Sequence, residues 1–194
     1  MDKTLLKLEQ ILKDNQKEID KEKSSYWKKG VRDHNFYDYT TSLRSGSFTP
    51  RTFKQLIYNY LNQRLYFNNI NGFNVFTSEV YKKTQQIAKI QNRVLDYDFL
   101  RMVYTYLFLI EQKQYEPYKI CIIGDGKANL TSIFLKMGKN IKIYYINLVE
   151  VMIQDYQILK KGRLINTTDY VLVEKKEDLK NNCNIYFIPR LIAK

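Results

Sequence analysis

The stretch KICIIGDGKANLTSIFLKMG, Lys119 to Gly138, decides how the chain is read. Ile120 to Ile123 form a short apolar run that meets a Gly-x-Gly turn, and LTSIFLKM follows with helical spacing and stops at Gly138. An apolar run of that length, bounded by glycine and followed by a helical pattern, predicts strand, turn and helix. Ligands of open α/β sheets bind beyond the carboxyl ends of the strands, where Gly124 and Gly126 fall. Glycine there admits positive φ and lets a ligand approach the backbone with no Cβ in the way. The helix that follows directs its free N–H groups into the same crevice.

The pattern continues downstream. NIKIYYINL reads as a second strand, VEVMIQDYQILKKG as a second helix closed by Gly162, and TTDYVLVE and NIYFIP as a third and fourth strand. Strands alternating with helices predict a parallel sheet with right-handed crossovers. Upstream the texture is helical. Leu5, Leu8, Leu12 and Ile19 recur at helical spacing over residues 4–22 and predict one amphipathic helix. Residues 31–50 read as loop. Arg51–Phe67 predicts a helix with Phe53, Leu56, Ile57, Tyr60, Leu61 and Leu65 on one face, and a second helix is read from about Ser78 to Arg93. Val94–Gln112 is apolar almost all round, which predicts a buried helix. The expected fold class is α/β: a helical N-terminal region, 1–112, followed by a partial Rossmann-like parallel sheet, 113–194.

Bulk properties bound the function. A chain of 194 residues buries a real core as one domain. Its longest apolar patch, Met102 to Ile110, is too short to span a bilayer. The N-terminus carries acids and lacks a signal-peptide core, so a cytoplasmic location is expected. Two cysteines, Cys121 and Cys183, and a single histidine predict neither a disulfide framework nor a zinc site. Net charge is +12, which alone admits a nucleic-acid partner. The lysines are scattered among Asn, Ile and Tyr, however, and no RNA-binding motif accompanies them.

The turn itself narrows the ligand. G-x-G-x-x-G would place a glycine where Asn129 stands, which disfavours a nicotinamide dinucleotide, and no P-loop spacing exists. Ala128 gives Gly-x-Gly-x-Ala, nearer the G-x-G-x-G of S-adenosylmethionine enzymes. A tight strand-to-helix turn that binds nothing stands beside that reading. Asn147 ends the second strand, where a carboxylate would accept from ribose hydroxyls; an amide does so more weakly. Glu150 either compensates or is a first-turn acid favoured by the helix dipole.

CIIGDGKANLTSIFLK followed by IKIYYINLVEVMIQDYQIL resembles the sugar O-methyltransferases that use S-adenosylmethionine. Asn147-Leu148-Val149-Glu150 occupies the family's Asp-Leu-Pro-Glu-like segment, Gln154 to Leu159 opens as its Tyr/Leu-rich helix would, and NIYFIP resembles its next strand. Trp27 is similar to its aromatic entry. The resemblance covers about residues 115–190. It implies a Rossmann-like fold and S-adenosylmethionine as cofactor, with Gly124, Asp125, Gly126 and Ala128 along its methionine and ribose side and Asn147 at its ribose hydroxyls. The implied acceptor is a sugar, nucleotide-sugar or glycan of polysaccharide assembly. A methyltransferase sheet has about seven strands and four are read here, so the chain is expected to be the front part of such an enzyme or a degenerate relative.

Methyl transfer to a hydroxyl profits from a general base. His34, beside Asp33, is the only histidine and the candidate by pKa, against the alternative of a solvent-facing loop residue. Asp96 reads as a helix N-cap. Ser42 to Arg51 reads as a polar loop with Thr49 capping the next helix, although its arginines suit a phosphate. The aromatics Tyr58, Tyr60, Tyr66, Phe67, Phe73 and Phe76 are expected to be core rather than a stacking platform. The rival functional reading is a non-catalytic interaction or nucleic-acid-binding module.

Overall fold

The protein, seen in a computed structural model, is described over residues 2–22, 52–67, 74–93, 95–112, 119–138, 141–180 and 182–192. His34, Asp33, Trp27, Phe73 and the Ser42–Arg51 loop lie outside these residues. Two helices open the chain, α1 (Lys3–Asp14) and α2 (Gln16–Glu22). The single helix expected over 4–22 is therefore interrupted, at Asn15, whose own side-chain amide donates to the Ile11 carbonyl at 2.9 Å. Asp2 caps α1 by accepting from the Thr4 and Leu5 amides. Next come α3 (Phe53–Phe67), α4 (Glu79–Ile90) with Ser78 as its cap, and α5 (Tyr97–Leu107) with Asp96 as its cap, accepting from the Phe99 amide at 3.0 Å. Asp96 thus has the capping role its position suggested.

The second half alternates as read: β1 (Lys119–Ile123), α6 (Asn129–Met137), β2 (Lys142–Asn147), α7 (Val149–Lys161), β3 (Tyr170–Leu172) and β4 (Ile185–Pro189). All three pairings are parallel, in the order β1-β2-β4-β3. The fold is α/β with a four-stranded parallel sheet. Strands β2 and β4 are central, so Ile143, Tyr145, Ile185 and Phe187 are almost fully buried. Among the described residues β1 pairs on one edge only, and Ile123 at its end is 75% exposed.

Side chains alternate across a strand, and the two faces differ. Ile122, Ile143, Tyr145, Ile185 and Phe187 join the main core, where α1 packs on α7, and α4 and α5 pack on α6. That core draws from both halves of the chain, from Leu8 to Phe187. The opposite face carries a smaller cluster of Val173, Cys183, Tyr186 and Ile188, with Tyr144 stacked on Tyr186 at 4.9 Å. α5 is buried as expected, through Phe99, Leu100, Val103, Tyr106 and Leu107. α3 departs from expectation. Its apolar residues Phe53, Ile57, Tyr60, Leu61 and Leu65 are exposed, and among the aromatics Tyr66 is exposed while Phe67 and Phe76 are buried. Periodicity makes a helix amphipathic; it does not supply the surface that would cover it. Among the described residues no helix is long and apolar enough to cross a membrane.

Candidate functional site: the glycine corner

β1 leaves the sheet through Gly124, Asp125, Gly126, Lys127 and Ala128 before α6 begins. Gly124 adopts φ +69, and its amide donates to the Ile146 carbonyl at 3.0 Å, closing the last rung to β2. Lys127 (φ 66) and Ala128 (φ 49) are both left-handed, at a cost of about 1–2 kcal/mol for each non-glycine residue. Strain of this kind persists only where the surroundings over-determine it. Here a buried polar network does so. The Arg93 guanidinium donates to the Lys127 carbonyl at 3.1 Å, to the Asn129 carboxamide and to Gln91, and it stacks on Phe99 at 4.7 Å. On the other side the Lys127 amide meets the Asp155 carboxyl.

Asp125 turns back under the corner. Its carboxylate accepts from the Leu130 amide at 3.0 Å, the Thr131 amide at 2.8 Å and the Thr131 hydroxyl at 2.8 Å. The first free donors of α6 are therefore satisfied by the protein's own anion. Burial raises the Asp125 pKa to about 6 against those bonds. It raises Asp155 further, to about 8, with Tyr145 and Asn147 donating to it. Burial also lowers Lys127 to about 8 and Arg93 to about 10.

The structure divides the residues that the sequence singled out. Gly124, Asp125 and Gly126 line a cavity of about 270 Å³ at the end of β1, together with Asp98, Arg101 and Ile123. A Cβ built on Gly124 or Gly126 would meet no atom within 4 Å, so the backbone is bare toward that space. Ala128 is fully buried behind the corner. Asn147 also faces inward: its Nδ2 donates to Asp155 at 3.0 Å and to the Tyr145 hydroxyl at 3.2 Å, and its Oδ1 accepts from the Leu148 amide. The ribose role expected of Asn147 thus finds its carboxamide already engaged within the protein. Glu150, the other candidate there, is buried in the first turn of α7.

Sequence reading did not single out Arg93 or Asp155. Both are charged residues at positions a pattern assigns to solvent, one just after a helix and the other within the polar letters QDYQ. The chain matches no protein-family model, no curated protein and no solved structure.

Proposed function

We propose that the glycine corner binds S-adenosylmethionine and that the chain is a methyltransferase acting on a sugar hydroxyl. The observation that carries this reading is the bare backbone of Gly124 and Gly126, open to a cavity at the carboxyl end of a parallel strand. Two consecutive left-handed non-glycine residues at the same turn support it, because strain collects at functional sites. The order β4-β2-β1 corresponds to the 3-2-1 half of a doubly wound sheet, with β3 as an added edge strand, and this supports a Rossmann-like type.

The local charge selects among nucleotides. The N-terminus of α6 ordinarily attracts phosphate, but Asp125 already occupies its amides. A diphosphate would therefore find those amides taken, and the Arg101 guanidinium on the cavity wall is already paired with Asp98 at 3.4 Å. A sulfonium cation suits these walls better. At about 270 Å³ the cavity lies below the usual ligand range of about 300–1,000 Å³, so it takes one end of the cofactor. In the transfer, the acceptor oxygen bonds the methyl carbon as the carbon–sulfur bond breaks, and the hydroxyl proton passes to a base. His34 remains the proposed base.

Calorimetric titration of the purified chain with S-adenosylhomocysteine tests the reading. Heat of binding is expected from the unmutated protein and none from Gly126→Val. A folded, unmutated protein that gives no heat overturns it. The non-catalytic alternative would then stand, supported by the inward Asn147 and the self-capped α6, with salt-sensitive retention on heparin as its own sign.

A further inference from the structure

A second cavity lies on the far side of Arg93, between α3 and α4. It measures about 550 Å³, within the range of about 300–1,000 Å³ typical of small-molecule sites. Ile57, Leu61 and Leu95 give it apolar walls, and Tyr60 and Tyr81 add aromatic ones. The apolar face of α3 that the core leaves exposed opens onto this space: Ile57, Tyr60 and Leu61 are each about half exposed.

Its charge is one-sided. Lys89 is among the lining residues, and no aspartate or glutamate is, among the described residues; Arg93 lines it too, but its guanidinium is engaged by Lys127, Asn129 and Gln91. Next to the cavity, Arg64 lies over the rings of Tyr60 at 5.2 Å and Phe76 at 4.4 Å, adding a second cation. Gln63 and Gln85 supply amides at the same walls. The glycine corner differs, since two acids, Asp98 and Asp125, line its cavity beside Arg101.

We propose that this cavity is a binding site for a ring-bearing organic anion, with the ring between the α3 and α4 side chains and its anionic group toward Lys89. The ring is held by apolar burial and by the tyrosine faces, and the charge by the exposed Lys89 ammonium, with Arg64 beside the cavity. The site does not depend on what the glycine corner binds.

Two fluorescent probes that differ by one charge test it: 8-anilinonaphthalene-1-sulfonate and its uncharged parent N-phenyl-1-naphthylamine. Both are expected to brighten on the folded chain, with the sulfonate binding more tightly. Lys89→Glu is expected to weaken the sulfonate by about fivefold, the scale of an exposed charge pair, and to leave the neutral probe unchanged. Leu61→Glu places a carboxylate in the apolar wall and is expected to abolish binding of both. Lys89 and Leu61 are exposed, so circular dichroism should show both variants folded. If neither probe binds, or the sulfonate has no advantage, the proposal fails. It fails equally if both variants bind as the unmutated protein does.

Discussion

At the end of β1 the chain leaves through Gly124–Ala128 with open space over both glycines. At the neighbouring end of β2 it leaves through Asn147 and Leu148, and the Asn147 carboxamide turns into the core. The two corners share a sheet and a direction, since Ile123 and Ile146 are paired in register. They differ in where their acid stands. Asp125 lies in the loop ahead of α6 and caps that helix from beneath, which leaves the outer surface of the glycines clear. Asp155 lies well inside α7 and draws Asn147 and Tyr145 toward itself. A corner at the rim of a parallel sheet is thus open or closed according to which of its own groups reaches the strand end first.

The closed corner gives the largest expected effect. Asp155→Ala removes the acceptor used by the Tyr145 hydroxyl and by Asn147. Each buried donor left without a partner costs about 1–3 kcal/mol, so a loss of about 3 kcal/mol is expected in urea unfolding. Asp155→Asn keeps the shape of a neutral carboxyl and is expected to cost less than half of that. An Asp155→Ala variant as stable as the unmutated chain would show that Asn147 is not held inward by this residue, and the contrast would collapse.

Acidity sharpens the same point. Asp155 near 8 and Asp125 near 6 both lie above the ordinary 3.8, because burial opposes their charge. The folded chain therefore keeps protons that the unfolded chain has lost between about pH 4 and 8. Their contribution to stability is fully present below about pH 4 and falls as pH rises through that window. Lys127, lowered to about 8, and Arg93, lowered to about 10, act in the opposite sense above those values. A fall in Tm of about 10 °C is expected between pH 5 and 7.5, smaller in Asp155→Asn. A Tm that rises across the interval would contradict the burial argument.

How much of this was legible follows from the kind of signal each part carries. Strand and helix alternation is local: apolar runs of five or six residues are punctuated by Gly124, Gly138 and Gly162, and the structure places elements where those marks lie. The positive φ of Gly124 and the cap at Asp96 are local for the same reason. The insertion of β4 between β2 and β3 is not, because it depends on partners far along the chain. Nor is the burial of Arg93 and Asp155, since charged letters read as solvent-facing until tertiary structure supplies their partners. Asn147 is the instructive middle case. Its position at a strand end was readable, but its direction depended on Asp155.

The open corner predicts smaller losses. Asp125→Ala removes the cap of α6, for an expected cost of about 1–2 kcal/mol. It also frees the Leu130 and Thr131 amides of their acceptor. If the carboxylate is what disfavours phosphate there, the variant gains affinity for inorganic pyrophosphate in calorimetry. An unchanged absence of binding would assign Asp125 to folding alone.

The two glycines give the smallest change in stability and the sharpest division between folding and binding. Gly124 holds φ +69, so Gly124→Ala meets the left-handed penalty of about 1 kcal/mol even though space surrounds it. Gly126 has no such φ, and its added Cβ also meets nothing within 4 Å. Gly126→Ala is therefore expected to leave the urea midpoint unchanged to within about 0.5 kcal/mol. In an empty corner that methyl is silent. With a ligand seated against the backbone, the methyl takes the ligand's place, and affinity for S-adenosylhomocysteine falls while stability does not. A variant that loses stability places Gly126 in the fold, and one that keeps both stability and affinity moves the ligand away from this backbone.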